Sequence, residues 1–501
     1  MNRSNPVPMS ISVANRTEDP NVVMHLINSI NSNSQRIREL KVYMRVMGGL
    51  VNDFKHLQYP MPILEVLELG CSPYWGIPPG TTLPTLPRLF SHNYPCLKHV
   101  SIQHFTTIPS RAFTNLVTLV LSYSIGHVIL DDFLALVAGS PRLEVLWLKR
   151  YLITQPRSFH PPAPVSLPRL SSITLENCDS HLILNALRLP DTATLRIMYP
   201  MYYLGRRPQN TLSDAFPLDP TIIGSLNNIR TLSYGVDETV AVLFLKDSQD
   251  NKLVHVEQGH NPPAMGLVGH FGMFGHVGPH NGLRTCFHDL FILERAADLL
   301  GSLTTLELDL RGLPNHDMGG SRLSFWLAFF ESSHQLEVLR TSYAYVPPML
   351  DGLNPSNSAS KKVLCPSLRT LQLDIRTGAF DLKNDWLLQV VDTARWRGKR
   401  GSPFRDLSVY LVSSGYGHEF TLPSDAVRAM FTLRDAGVEN MTFSNGTKTY
   451  KFGESLVLLL VKGVILIRCV TDRDNYASPT LPQPFWEDWA APTTHKTRHR
   501  S

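Results

Sequence analysis

Residues Asp131–Leu148 read DDFLALVAGSPRLEVLWL. The first half has the form of a short helix. Asp131 or Asp132 suits its start, because a carboxylate accepts the N–H groups that a first turn leaves unpaired. Phe133, Leu134, Leu136 and Val137 make one apolar helical face. Gly139 is predicted in the left-handed conformation that ends a helix, and Pro141 cannot continue one. The second half, RLEVLWL, follows L-x-x-L-x-L with Leu143, Leu146 and Leu148, the pattern of a short strand with one buried side. Helix, stop and strand form one unit, and the question is whether the chain repeats it.

It does. With any aliphatic residue allowed, the strand pattern recurs as RIRELKV (Ile37, Leu40, Val42), ILEVLEL (Leu64, Leu67, Leu69), CLKHVSI (Leu97, Val100, Ile102), NLVTLVL (Leu116, Leu119, Leu121) and RLSSITLENC (Leu170, Ile173, Leu175, then Cys178). Later copies are NIRTLSY (Ile229, Leu232), SLTTLEL (Leu303, Leu306, Leu308), QLEVLRT (Leu336, Leu339), SLRTLQL (Leu368, Leu371, Leu373) and the degenerate FRDLSVYL (Leu407, Val409), with TLRIMY at 194–199 as one more. First positions at 37, 64, 97, 116, 143 and 170 leave gaps of 27, 33, 19, 27 and 27 residues. Leucine-rich repeats run to about 20–29 residues, so the array is irregular.

Helical patterns fall between the strands at 21–30, 131–138, 181–188, 287–300, 323–331, 385–395 and 424–435. One helix and one short parallel strand cannot cover their own apolar sides; stacked neighbours can. Strands stack about 4.8 Å apart and helices about 8–10 Å apart, which curves such a stack. The expected fold is therefore an α/β, irregular leucine-rich-repeat solenoid, a horseshoe with parallel strands on the concave face and helices on the convex face.

The rhythm breaks in several places. Segments 72–87 and 155–168 are proline-rich and read as surface loops, and 349–362 (with DGLNPSNSASKK) reads as a flexible insertion. The domain layout predicted is a disordered 1–20, repeats over 21–236, an irregular His/Gly-rich insertion over 237–287 in which VAVLFL and KLVHVE fit strands, repeats and a cap over 288–473, and a disordered tail over 474–501.

Composition narrows the function. Hydrophobic residues make up 43% and charged residues 18% of 501, enough for a large core. A net charge of +5 is too small to mark a nucleic-acid binder. The six cysteines (Cys71, Cys96, Cys178, Cys286, Cys365, Cys469) are scattered with no C-x-x-C, which fits reduced thiols in the cytoplasm or nucleus. The N-terminal stretch lacks the apolar run of a signal peptide. The longest apolar run, LVLLLVKGVILI at 456–467, is too short to span a bilayer and reads as a buried strand or helix. The sequons at Asn15, Asn440 and Asn445 read as chance matches in such a setting.

Catalytic patterns are lacking: no G-x-S-x-G, P-loop or dinucleotide fingerprint occurs. His260, His270, His276, His280 and His288 cluster, but their spacing of 10, 6, 4 and 8 fits no familiar metal site. They read as a solvated loop, with a metal-dependent enzyme as the competing reading. ARWRGKR at 394–400 reads as a solvated helix end carrying favourable cations. No catalytic residue, metal ligand or cofactor is expected.

The better site is a binding surface. Residues between the buried leucines alternate to the other side of each strand. This places Glu68, His99, Ser101, Val120, Trp147, Lys149, Thr174, Glu176, Glu307, Asp309, Arg340, Gln372 and Asp374 on one exposed wall. Trp147 is the expected anchor for a protein partner, with burial under the 155–168 loop as the alternative. The acidic members either favour a basic partner or keep a β surface soluble.

The chain resembles the fungal F-box proteins with leucine-rich repeats. The resemblance rests on SISVANRTEDPNVVMHLINSINSNSQRIRELKVYM, PILEVLELGC, SPRLEVLWL, CPSLRTLQLDI and FTLRDAGVENMTF. It implies a non-enzymatic substrate-recognition part of a cullin-type ubiquitin ligase, with an unknown protein as substrate. The F-box itself, which in that family opens with an L-P-x-E-[IL]-like stretch and ends near W-R or W-x-x-[IL], does not precede Asn21. Either the sequence is truncated or the protein keeps only the recognition part, with a Skp-type adaptor as partner only where an F-box stands upstream. The other reading is a stand-alone interaction protein or a decayed paralogue without a ligase role. No membrane or nucleic-acid partner is implied.

Overall fold

The computed structural model describes residues 7–15, 19–46, 54–73, 86–105, 108, 113–154, 164–199, 228–236, 240–259, 302–309, 323–342, 346–354, 362–377, 385–413, 432–444, 449–452, 456–461 and 464–469. The chain is an α/β protein in which long, largely parallel β-sheet carries interspersed helices. It divides into two compact units, Met1–Leu306 with Gly312–Gly320, and Glu307–Arg311 with Ser321–Ser501.

In the first unit the strands are β1 (Met9–Asn15), β2 (Ile37–Val46), β3 (Val66–Pro73), β4 (His99–Gln103), β5 (Thr118–Ile129), β6 (Val145–Thr154), β7 (Val165–Ser166), β8 (Ser172–Glu176), β9 (Leu187–Arg188), β10 (Thr194–Tyr199), β11 (Thr231–Val236), β12 (Val240–Lys246) and β13 (Lys252–Gly259). Strands β1, β2, β3, β4, β5, β6, β8 and β10 pair in that order, all parallel. The short β7 and β9 pair separately.

The repeat copies are in structural register. Leu40, Leu67, Val100, Leu119, Leu146, Ile173 and Leu195 form one row across seven strands, and Val42, Leu69, Ile102, Leu121, Leu148, Leu175 and Ile197 form the next. Every one of these side chains is buried. Burying a leucine contributes about 1.5–3 kcal/mol, and a one-residue slip would turn both rows to the opposite side. The leucines therefore fix the register.

The expected strands VAVLFL and KLVHVE are present as β12 and β13, but not as continuations of the parallel series. The β11–β12–β13 segment is an antiparallel meander, and β13 lies parallel beside β10. The turn between β12 and β13 is held by Asp247, whose carboxylate accepts from the amides of Gln249 (2.8 Å) and Asn251 (2.9 Å). The remainder of the His/Gly-rich stretch, including all five clustered histidines, lies outside the described residues.

Among the described residues, three α-helices join these strands. Helix α1 (Pro20–Ser32) starts with Pro20 in the first turn and Asp19 accepting from Asn21 N at 2.9 Å. Its Val23, Ile27 and Ile30 face the core. Helix α2 (Leu130–Ala138) buries Leu130, Phe133, Leu134, Leu136 and Val137, as its spacing predicts.

Two details of α2 differ from expectation. Ile129 is the cap and makes no side-chain cap bond, so Asp131 and Asp132 sit inside the first turn and act only through the helix dipole. Gly139 is right-handed, with φ −66° and ψ −8°, and the stop falls on Ser140-Pro141 instead. Ser140 is fully buried, and its hydroxyl accepts from Leu116 N at 3.2 Å, which ties the helix end to the preceding copy. Helix α3 (Ser180–Asn185) is a short turn that buries Ile183 and Leu184.

Strand β14 (Thr305–Asp309) lies at the division between the units. The second unit contains β15 (Val338–Ser342), β16 (Thr370–Thr377), β17 (Asp406–Ser413) and β18 (Asn440–Ser444), parallel and in sequence order, with β19 (Thr449–Phe452) antiparallel to β18. Leu339, Leu371, Leu407 and Met441 share a buried row. The apolar run at 456–467 forms two strands of an antiparallel hairpin, β20 (Leu456–Val461) and β21 (Val464–Cys469).

Helix α4 (Leu323–Ser332) stacks Trp326 on Phe330, with ring centroids 5.4 Å apart. Helix α5 (Val346–Leu353) replaces the start of the insertion expected at 349–362, where Met349, Leu350 and Leu353 are buried. Its two prolines occupy the first turn, where no N–H is missed. Helix α6 (Asp385–Lys399) buries Leu387, Val390, Val391 and Ala394. The helical pattern at 287–300 and residues 424–431 of the last one lie outside the described residues; 432–435 are helical.

The basic run at 394–400 is not uniformly solvated. Arg397 is fully buried, donating from Nη1 to Leu364 O (2.8 Å) and from Nη2 to Cys365 O (2.9 Å), with its guanidinium 4.9 Å from the Phe404 ring centre. One residue of a seemingly solvated run thus pins the segment that leads into β16.

Candidate functional site

Opposite the leucine rows, the first unit carries a second set of rows. Lys41, Glu68, Ser101, Val120, Trp147, Thr174 and Arg196 share one register. The next holds Tyr43, Gly70, Gln103, Ser122, Lys149, Glu176 and Met198. His99 lies on the other side of the first row, beside Thr118, and its Nδ1 is 3.0 Å from Thr118 Oγ1. Eight of the residues singled out from sequence therefore meet on one sheet face: Glu68, His99, Ser101, Val120, Trp147, Lys149, Thr174 and Glu176. Glu307, Asp309, Arg340, Gln372 and Asp374 belong to the second unit. There Arg340 and Gln372 share a register row, and Glu307 is ion-paired to Arg340.

The first-unit face is half-buried, not open throughout. Glu176 is the exception to the expected exposure: it is 8% exposed, and its carboxylate lies 2.8 Å from Lys149 Nζ. The pair stands between adjacent strands, so each charge screens the other from water. Glu68 is held twice, by Lys41 Nζ at 2.6 Å and by the Tyr43 hydroxyl, which donates at 2.7 Å. Burial first, and then the Glu68 carboxylate, push the Tyr43 phenol well above its usual range. The Tyr43 ring lies over Gly70, where an added Cβ would come within 2.5 Å of it. Glycine at 70 thus makes room for the tyrosine that orients Glu68.

Trp147 stands mid-row with Val120 and Thr174 as lateral neighbours. Its indole is half-buried, and Nε1 finds no hydrogen-bond acceptor among the described residues. The 155–163 part of the loop expected to cover it lies outside the described residues.

A further column borders this face, and the sequence reading missed it. Two residues beyond the last buried leucine position of four successive copies stand His104, Tyr123, Arg150 and Asn177, with φ of 64°, 58°, 51° and 50°. A left-handed conformation costs an ordinary residue about 1–2 kcal/mol, so four in equivalent positions mark a shared bend imposed by stacking. Side chains recover part of that cost. The His104 and Tyr123 rings stack at 4.8 Å with 16° between planes, and the Arg150 guanidinium lies 5.0 Å from the Tyr123 ring centre. Backbone bonds run to the next strand, from His104 N to Ser122 O (2.9 Å) and from Asn177 N to Met198 O (2.8 Å). His104 is buried, and burial, aided by Arg150, pushes its imidazole down to about 4. The signal available in sequence was positional only: each residue lies at the same offset after a leucine.

Lys41, Tyr43 and Arg196 also belong to the face. The L-x-x-L-x-L copies RIRELKV and TLRIMY carry Lys41 and Arg196 at the same offset as Trp147. Next to the column, Cys178 is buried and its thiol donates toward Leu148 O and Glu176 O at 3.3 Å, filling the place where the repeat pattern predicts Asn or Cys. Burial pushes that thiol up to about 12.

The arrangement offers paired charges, hydroxyls and one indole on a rigid sheet. Among the described residues there is no group of three or more His, Cys, Asp or Glu able to hold a metal ion, and no helix long and apolar enough to cross a membrane. No protein-family model matches the chain, and no curated protein matches it.

Proposed function

We propose that this chain is a protein-recognition scaffold: an irregular leucine-rich-repeat solenoid, with its parallel strands on a concave face that receives a protein partner. The observation that carries the reading is the unbroken register from Lys41 to Arg196, in which every core position is a buried aliphatic residue and every intervening one belongs to a common wall. Rigid scaffolds of this kind spend their sequence on packing and leave recognition to the alternate residues. In this reading Trp147 is the anchor and Ser101, Thr174 and Gln103 supply hydrogen bonds around it. The resemblance to F-box proteins with leucine-rich repeats extends the proposal: the partner is a substrate presented to a cullin-type ubiquitin ligase, and the chain itself performs no chemistry.

The test is substitution on the face. Trp147→Asp places a charge where an indole docks and is expected to weaken partner capture at least tenfold in quantitative affinity purification, with an unchanged circular-dichroism spectrum. Unaltered capture would move the recognition site off this face. The ligase extension fails separately if a purified Skp-type adaptor does not associate with the longest natural form of the protein.

A further inference from the structure

We propose that the free edge of β1 is a self-association site, at which a second copy of this chain adds its own β1 in antiparallel register. Strand β1 pairs with β2 on one side, and among the described residues no strand pairs with its other edge. Within Met9–Asn15, MSISVAN, the edge carries neither a charge nor a proline, two of the devices that usually block strand addition, and Pro8 stands just before it.

Among the described residues the core is also incompletely covered beside β1. Met9, Ile11 and Val13 stand in register with Ile37, Leu40 and Val42, which are fully buried, yet they are only half-buried themselves. Nearby in sequence, Val7 is 73% and Val22 46% exposed, two of the five exposed large hydrophobic residues among those described.

The sequence of the edge says which occupant fits. Met9-Ser10-Ile11-Ser12-Val13 is nearly palindromic about Ile11. An antiparallel pair with its two-fold axis at Ile11 sets Ile11 against its copy, Met9 against Val13, and Ser10 against Ser12. Apolar side chains then meet on the core side and hydroxyls on the other, with no charge opposed. A parallel partner has no such symmetry, and the strand itself carries no charge; the carboxylate beside it, Glu39 of β2, already accepts from Ser10 Oγ at 3.0 Å. Side chains directly opposite in an antiparallel pair approach to about 4.5–5.5 Å, so the serine pair is a sensitive place to intervene.

Sedimentation equilibrium on the full chain provides the experiment. The wild type is expected to show a concentration-dependent monomer–dimer equilibrium. Ser10→Lys/Ser12→Lys and Ser10→Glu/Ser12→Glu oppose like charges across the pair, and each alone is expected to raise the dissociation constant at least tenfold. An equimolar mixture of the two opposes Lys to Glu and is expected to recover dimers, a recovery that misfolded protein would not give. The proposal is overturned if the wild type is monomeric at every concentration, if both variants dimerise like the wild type, or if the mixture stays monomeric. A monomeric wild type that nevertheless binds a synthetic peptide of residues 7–15 would likewise overturn it, since the edge would then accept a strand without serving self-association.

Discussion

Replacing Gly139 by alanine tests how the unit at Asp131–Leu148 is built. Gly139 closes α2 with φ −66° and ψ −8°, a conformation open to any residue. An alanine Cβ there would lie 3.4 Å from Leu136 O, 3.5 Å from Phe113 O and 3.6 Å from Ala135 O, all ordinary contacts. The backbone bonds of the site survive: Gly139 N donates to Ala135 O at 3.2 Å, and its carbonyl accepts from Asn115 N at 2.9 Å. Alanine therefore costs nothing in the folded state and removes freedom from the unfolded one, a gain of about 0.4–1 kcal/mol. The left-handed glycine that the helix-stop pattern predicts would give the opposite sign, a loss of about 1–2 kcal/mol. Urea unfolding followed by far-ultraviolet circular dichroism separates the two. With a slope of about 2 kcal/mol/M, the midpoint rises by roughly 0.2–0.5 M, and by less if the slope is steeper. A midpoint that falls beyond experimental error refutes the right-handed closure and the contacts derived from it.

The same substitution at Gly398, in α6, runs the other way: its Cβ would collide with the Ala436 carbonyl oxygen, and overpacking of about 1–3 kcal/mol outweighs a helix-propensity gain of about 0.5–1 kcal/mol, so the urea midpoint falls. Acid should weaken the first unit through His104, whose folded-state pKa of about 4 lies below its ordinary 6.5. Below 6.5 the unfolded chain binds the extra proton, so His104's contribution is complete above 6.5 and is lost as pH falls toward 4; after allowance for solvent screening the loss is about 1–2 kcal/mol. His104→Asn, which tolerates the left-handed backbone, should flatten the stability slope between pH 6.5 and 4, and an unchanged slope would assign it to other groups such as His255. Thiol labelling of native protein should modify the exposed Cys96 and leave Cys178 and Cys365 untouched until urea unfolds the chain, because both are buried with thiols pushed up to about 12; peptide mass spectrometry reads the order.

The parallel strands were legible because a strand with one buried side writes its period into the sequence. Leu143, Leu146 and Leu148 announce both the element and its register, and their counterparts from Ile37 to Ile197 are buried as the pattern requires. The wall positions that alternate with those leucines were legible for the same reason. Features decided by tertiary neighbours were not. Arg397 reads as one cation in a basic run, because the carbonyls that hold it lie about thirty residues earlier, at Leu364 and Cys365. Helix α5 hid behind Pro347 and Pro348, which interrupt a helix in mid-course but fit its first turn. His104, Tyr123, Arg150 and Asn177 share no side-chain chemistry, so nothing in their letters reveals a common backbone bend. The burial of Glu176 depends on Lys149 one strand away, a pairing that only the register supplies.

That pairing bears on what the face recognises. Acidic residues on the wall admit a basic partner as one reading and simple protection of a β surface as another, and the ion pairs favour the second. Glu68 already has Lys41 at 2.6 Å, and Glu176 has Lys149 at 2.8 Å. A partner's lysine would have to displace an ammonium group of the same kind at the same distance, exchanging one pair for another while losing its own hydration. Glu176 is buried and Glu68 half-buried, so the newcomer would also have to give up its own water to reach them, and the exchange yields little. The charged residues instead hold one another and Tyr43, and in the proposed reading the energy available to a partner lies in covering Trp147 between Val120 and Thr174. On the proposed reading, discrimination would come from the shape around the indole and from hydroxyl geometry, in keeping with a chain whose net charge is only +5.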